Sequence, residues 1–379
     1  MTESIQVLRP LYRTDEVLDE IRTCLEVGWT GMGFRTDELE KKWADYTGLP
    51  NAHFLTSATA GLHLALAIYK LREGWQDCDE VISTALTFVS TNHAILYERL
   101  RPVFADVDGY GCIDPDELEA LITNRTRAVI FVALGGNTGD LPRIARICRE
   151  RGLKLVLDAA HLAGARLDGA DPGALADVSV YSFQAVKNLP TADSGMICFK
   201  DSELDAFARQ MSWLGIDKST HQRSQGGSYR WRYDVPNVGF KYHGNSVMAA
   251  MGIVALRYLD EDNARRREIA ARYQAAFEGD GAIRTVPVPE GLVHPRHVFQ
   301  ILVDNRDALL EACYDAQVYP GVHYVSNADY APYRGFARPL PRTDDFSRGV
   351  ISLPLHLHLG EVDIDRVISV VRSALEAGG

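Results

Sequence analysis

The amino-acid sequence predicts an α/β fold: a mainly parallel sheet covered by helices on both faces, followed by a smaller α+β unit. Three observations carry that expectation. Short, almost continuous apolar runs recur between residues 80 and 199, the pattern of strands buried on both faces. Helix-patterned stretches separate several of them, so strand and helix alternate. Beyond residue 281 a strand–helix–strand–helix series predicts a second, smaller core. At 379 residues the chain is long enough for two or three cores.

The elements follow in order. Asp37–Tyr46 is charged and helix-prone, and Gly48-Leu49-Pro50 ends it. Thr56-Ser57 is turn-like, and a helix over Ala58–Lys70 places Leu62, Ala65, Leu66 and Tyr69 at helical spacing. Strands are expected at Glu80–Ser83, Pro102–Val107, Ala128–Ala133, Leu153–Leu157, Val178–Ser182 and Met196–Phe199, with helices at Asp114–Leu121 and Pro142–Arg151. Ser246–Phe277 holds no proline, and Val247, Ala250, Met251, Val254 and Tyr258 trace one stripe. It reads as one long helix, or two abutting ones, leaving the first domain. Strand-like Val298–Val303, helical Arg306–Gln317, strand-like Val322–Val325 and helical Asp363–Ala377 complete the chain. The expected division is 1–250 for an N-terminal arm and large domain, and 251–379 for the linking helix and small domain.

Composition excludes several classes. Hydrophobic residues make up 46% and charged residues 24%, a globular balance. Forty basic residues against 51 acidic ones give a net charge of −11, against a nucleic-acid binder. No apolar run approaches the roughly 18–20 residues of a membrane span. The N-terminus MTESIQVLRP has no basic stretch followed by an apolar core, so no signal peptide is expected. Six cysteines are scattered with no C-x-x-C pair, which reads as reduced thiols of a cytoplasmic protein without a zinc site.

The chemistry lies at the carboxyl edge of the predicted sheet, where open parallel sheets collect ligands. Strand Leu153–Leu157 ends in Asp158-Ala159-Ala160-His161. Strand Val178–Ser182 runs into Phe183-Gln184-Ala185-Val186-Lys187-Asn188. A lysine there can form an imine with a carbonyl compound. An aspartate there can hold the charge on a heteroaromatic nitrogen. Together they match pyridoxal phosphate, which needs a Schiff-base lysine and an acidic partner for its pyridine nitrogen. Taken singly, the aspartate is also an ordinary cap and the lysine an ordinary surface residue. Upstream, Thr56-Ser57-Ala58-Thr59-Ala60-Gly61 opens a helix, and a helix N-terminus with small residues suits a phosphate.

These residues resemble the sugar aminotransferases of the DegT/DnrJ/EryC1/StrS family, a branch of the fold-type I pyridoxal-phosphate enzymes. The resemblance runs from about Val27 to the C-terminus. Gly28–Gly33 resembles the family's N-terminal glycine-rich segment, Thr56–Leu62 its phosphate loop, and Thr87–Thr91 the segment whose aromatic residue stacks on the cofactor. Asp158–His161 and Ser182–Leu189 are the most specific matches, and Gly239-Phe240-Lys241-Tyr242 resembles the segment that crosses into the partner subunit's site.

The resemblance implies a seven-stranded-type sheet in the large domain and pyridoxal 5'-phosphate as cofactor, with pyridoxamine phosphate as its half-reaction form. It implies Lys187 as the imine-forming residue and proton carrier, and Asp158 as partner of the pyridinium nitrogen. His161 would lie near the phenolic oxygen and Phe88 against the ring. Ala58, Thr59 and Ser182 would hold the phosphate, with Lys241 reaching it across a homodimer with shared sites. On the substrate side it nominates Thr30, Gly31, Arg230, His323 and Tyr324. Gln184 and the Leu134–Asp140 loop depart from the family's pattern, as do His243, Asn245 and Val325–Tyr330.

The implied activity is transfer of an amino group from glutamate or glutamine to a keto-sugar, attached to a nucleotide, in amino-sugar biosynthesis. An aminotransferase acting on a cyclitol or other carbocycle is the alternative within the family. A dehydratase branch carries histidine in place of the lysine, and Lys187 speaks against it. A nicotinamide oxidoreductase needs G-x-G-x-x-G after its first strand, and neither Gly28–Gly33 nor Gly135–Gly139 has that spacing.

Overall fold

In the computed structural model, which describes residues 4–217 and 233–378, seven strands form one sheet in the order β2-β9-β8-β6-β5-β3-β4. The first short strand, β1 (Ile5–Gln6), lies elsewhere, and the sheet begins with β2 (His53–Leu55). It continues with β3 (Glu80–Thr84), β4 (Arg101–Ala105), β5 (Thr126–Val132), β6 (Lys154–Asp158), β8 (Val178–Ser182) and β9 (Gly195–Phe199). Pairings from β4 through β8 are parallel, whereas β9 runs antiparallel to both β8 and β2. The remaining two-residue strand of this half, β7 (Arg166–Leu167), pairs with β11 (Leu292–Val293).

The apolar runs are continuous because the sheet is buried on both faces. Along β5, Val129 and Phe131 enter one core while Ala128 and Ile130 enter the other. Leu155 and Leu157 of β6 join the first, and Val156 the second. The first core is closed by α2 (Phe34–Thr47), α5 (Pro115–Leu121) and α6 (Leu141–Arg151), with Leu39, Trp43, Leu118 and Ile144 inserted. The second is closed by α3 (Ala58–Glu73), α4 (Val89–Tyr97) and α7 (Ser202–Ser212). Gly61 of α3 lies so close to the sheet that a Cβ there would meet Val180 at 2.7 Å.

The long helix α8 (Ser246–Phe277) is unbroken and packs on α1 (Thr14–Val27) and α2. Its later half enters a third core through Ile269, Tyr273 and Phe277. That core holds the antiparallel sheet β10 (Arg284–Thr285), β12 (Phe299–Leu302) and β14 (Val350–Leu353), with α9 (Arg306–Asp315) and α11 (Glu361–Gly378). The helix α10 (Pro341–Gly349) precedes β14. The strand expected at Val322–Val325 is absent. The strand there is β13 (Val318–Tyr319), which pairs with β1, and residues 322–325 run as irregular chain. The structure puts β14 at Val350–Leu353 instead, where it pairs with β12. Among the described residues no helix is long and apolar enough to cross a membrane.

Candidate active site

At the carboxyl ends of β6 and β8 the protein encloses a cavity of about 520 Å³. It gathers Ala58, Thr59, Phe88, Asp158, His161, Ser182, Lys187, His323 and Tyr324. Because β6 and β8 are neighbours in the sheet, Asp158 and the segment bearing Lys187 leave it side by side. Asp158 is 5% exposed. Its carboxylate accepts from Thr91 Oγ1 at 2.7 Å and from the Ala160 N–H at 3.2 Å. Burial holds its pKa above the usual carboxylate range against those two donors and the Lys187 charge. Burial also depresses Lys187, to about 8, with Asp158 opposing the shift. A lysine in that range is a proton donor and acceptor near neutral pH.

His161 is buried, and its Nδ1 accepts the Gly135 N–H at 3.0 Å. That bond leaves the ring proton on Nε2. Burial, reinforced by the Lys187 charge, holds the ring neutral. Gly135 belongs to the loop that departs from the family pattern, so the departure serves His161.

Ser57 caps α3 by accepting from the Ala60 N–H at 3.1 Å, which leaves Ala58 and Thr59 as the first residues of the helix at the cavity. A Cβ at Gly195 would stand 2.6 Å from the Ala58 nitrogen, so only glycine lets β9 approach this helix end. Ser182 ends β8, next to Gly195 in the ladder. Phe88 precedes α4, with its ring centroid 5.9 Å from that of Tyr324. His323 Nδ1 meets Ser352 Oγ at 2.9 Å, and burial with the Lys187 charge lowers its pKa to about 4.

An anion cradle, a buried carboxylate and a facing lysine are what pyridoxal phosphate requires, and these residues fit it. Matches to known proteins decide the family: the profile described as the DegT/DnrJ/EryC1/StrS aminotransferase family covers residues 12–372. The chain belongs to this family. It is 32% identical, over 98% of its length and 97% of the relative's, to the dTDP-4-dehydro-2,3,6-trideoxy-D-glucose 4-aminotransferase of Saccharopolyspora spinosa. Its fold matches the crystal structure of the aminotransferase TlmJ from Streptoalloteichus hindustanus, with TM-score 0.92, 34% identity and 100% coverage of both chains. Spr1654 of Streptococcus pneumoniae, seen in a PLP form, matches with TM-score 0.90 at 26% identity over 99% of both chains. Like its family, the protein is a pyridoxal-phosphate-dependent aminotransferase.

The structure does not bring every nominated residue to this cavity. Thr30 and Gly31 are exposed, and their carbonyls accept from the Ser246 N–H at the start of α8. Lys241 is exposed, with its ammonium 3.4 Å from the centroid of Trp213 of the same chain. Arg230 lies outside the described residues. Three participants escaped the sequence reading. Thr91 had a signal, its i+4 spacing from Thr87 at a helix start, and Thr87 Oγ1 lies 3.0 Å from Thr91 Oγ1. Asn327 donates to the Thr87 carbonyl at 2.7 Å, and it pairs with Asn92 at 3.0 Å. His297 reaches the cavity from the segment before β12. Neither Asn327 nor His297 stands in a motif.

Proposed function

We propose that this aminotransferase moves an amino group from glutamate or glutamine to a keto-sugar carried by a nucleoside diphosphate, in amino-sugar biosynthesis in the cytoplasm. The observation that carries the reading is the single cavity shared by Asp158, Lys187 and the N-terminus of α3 in a chain of this family. The activity printed for the Saccharopolyspora spinosa relative supports the sugar end.

Bound pyridoxal phosphate supplies an electron sink for breaking a Cα–H bond. The chain's own residues do the rest. The N–H groups at Ala58 and Thr59, with Ser182 Oγ, would hold its phosphate. The Asp158 carboxylate would hold the ring nitrogen, and His161 would offer its Nε2–H to the phenolic oxygen. Phe88 would cover one ring face. Lys187 would attach the cofactor and carry the proton at the carbon that gains or loses nitrogen. His323 and Tyr324 offer polar groups to the sugar. One site serves donor and acceptor in turn, so the kinetics are ping-pong.

The working unit in this reading is a homodimer. The described part of the segment before Lys241 exposes Val235 and Val238, the latter 93% exposed. Apolar side chains left in water at this point suit a surface that a second copy covers. Lys241 and Arg230 would then serve the partner's site, where diphosphate and cofactor phosphate need cations.

The test separates the half-reactions. Glutamate and glutamine are each added to the pyridoxal form, and the visible spectrum reports conversion to the pyridoxamine form. Nucleotide-linked keto-sugars, free keto-sugars and keto-cyclitols are then added separately. Return of the pyridoxal spectrum with a nucleotide-linked sugar, and not with a cyclitol, is the expected result. Return only with a carbocycle overturns the sugar assignment.

A further inference from the structure

His297 is 2% exposed and lines the same cavity as Lys187, yet nothing above gives it a task. Its tautomer is determined by a chain of hydrogen bonds that ends on backbone. Asn263 Nδ2 donates to the Ala163 carbonyl at 2.9 Å, which turns Asn263 Oδ1 toward Asn188. Asn188 Nδ2 then donates to Asn263 Oδ1 at 2.7 Å and to the Pro295 carbonyl at 2.8 Å. Both amide hydrogens of Asn188 are committed, so its Oδ1 is the atom that meets His297 Nδ1 at 3.0 Å. A carbonyl oxygen accepts only, so His297 Nδ1 carries the proton. Burial keeps the ring neutral, with His161 and Lys187 reinforcing it. The remaining nitrogen, Nε2, is therefore a bare acceptor on the edge away from Asn188.

The neighbours show why an acceptor matters there. The titratable groups that line the cavity with Lys187 are Asp158 from the end of β6, His161 from the turn after it, His297 from before β12, and His323 with Tyr324 from the chain after β13; the Lys187 charge is felt at Asp158 and at all three imidazoles. Asp193, on the segment before β9, lines the cavity too. Asp158 is committed to Thr91 and Ala160, and in the proposed reading to the ring nitrogen. His161 presents an N–H to the cavity and cannot accept from an ammonium. His323 faces the Ser352 hydroxyl, which serves either tautomer. His297 is thus the imidazole locked as an acceptor. Asn188 follows Lys187 directly in the chain, so the residue that sets the tautomer moves with the lysine.

We propose that His297 is a positioning residue for Lys187, its bare Nε2 accepting a hydrogen bond from the lysine ammonium when the released amine turns toward it. This rests on the role proposed for Lys187, and it adds a place for the lysine to wait with its proton. A bond of this kind favours the charged form, so losing it lowers the pKa of the amine.

Two variants separate this role from a structural one. The amide nitrogen in His297→Asn overlays Nδ1 and keeps the bond to Asn188, while nothing replaces Nε2. The His297→Gln amide reaches the Nε2 position and can accept there. The readout is the pH dependence of Lys187 labelling by an amine-selective acylating reagent, in the full chain freed of cofactor and mapped by mass spectrometry. In His297→Asn the labelling midpoint should fall by about one pH unit with an unchanged melting temperature, and His297→Gln should recover most of the shift. A wild-type midpoint in His297→Asn, with destabilisation in His297→Gln, means the ring only braces Asn188 and overturns the proposal. If His297→Asn does not fold, His297→Gln decides: a near-wild-type midpoint supports the bond, and a drop of a full unit overturns it. Failure of every sugar to react would leave this labelling result untouched, so the two readings fail separately.

Discussion

Thr91 Oγ1 donates to Asp158 Oδ2 at 2.7 Å, joining the first turn of α4 to the end of β6. The hydroxyl has one proton, so the contact with Thr87 runs the other way, with Thr87 donating to Thr91. The relay stabilises the charged form of a buried carboxylate. Thr91→Val removes it and lets the Asp158 pKa rise further. Because Asp158 must be ionised, the acid limb of the rate–pH profile should move to higher pH, with turnover down about tenfold. A profile superimposable on wild type would show that the hydroxyl does not tune Asp158.

Asp158→Asn keeps the hydrogen-bonding shape and removes the charge. A loss of about 10²-fold or more in turnover is expected, in line with removal of other preorganised electrostatic contacts. Single-turnover rates for each half-reaction check this. Near-normal rates would leave Asp158 as a strand cap.

Lys187 should be the residue that borohydride links to the cofactor, as read by peptide mapping, and Lys187→Ala should abolish turnover. A stability effect accompanies this. The folded pKa of about 8 lies below the ordinary 10.5, so the folded chain resists protonation of this amine. The penalty is full below pH 8 and fades as pH rises toward 10.5. Cofactor-free Lys187→Met should therefore be more stable than wild type at neutral pH, by about 2–3 kcal/mol, and the gain should shrink to under about 1 kcal/mol by pH 10. Urea midpoints at pH 7 and pH 10 measure it.

Arg13 and Asp262 tie the start of α1 to α8 by two bonds, at 2.7 and 2.6 Å. Arg13→Ala should cost about 1–2 kcal/mol. Asp262→Ala should cost more, about 2–4 kcal/mol, because Asp262 is also the charge that supports buried Arg266, whose pKa burial lowers to about 10. Urea titration of the two single variants gives the order, and equal costs would mean Arg266 does not depend on Asp262.

Shared sites can be tested by complementation. A Lys187→Ala chain is mixed with a Lys241→Ala/Tyr242→Ala chain under conditions of subunit exchange. If Lys241 serves the neighbour, both lesions fall in one site of the mixed dimer and the other site is whole. Activity should then return toward half the wild-type value per mixed dimer. Exchange without recovery assigns Lys241 to its own subunit, where it already covers Trp213.

What the sequence determined by itself follows from local periodicity and local chemistry. A strand buried on both faces has to be apolar throughout, so β5, β6, β8 and β9 were legible as runs, and the residues ending β6 and β8 could be named as site residues. The helical character of Ser246–Phe277 is legible because it holds no proline, but that it is one helix and not two abutting ones is decided by the structure. Only the tertiary structure decided what depends on partners far apart in sequence. The β13 and β14 strands owe their places to pairing with β1 and β12, whereas Val322–Val325, though it begins and ends on a β-branched residue, joins no strand ladder and brings His323 and Tyr324 to the cavity. His297 sits in an ordinary apolar stretch, and 109 residues separate it from the Asn188 that sets its tautomer. A hydrogen bond across that distance leaves no periodic trace in the chain, so its proton position became readable only once the fold had brought the two together.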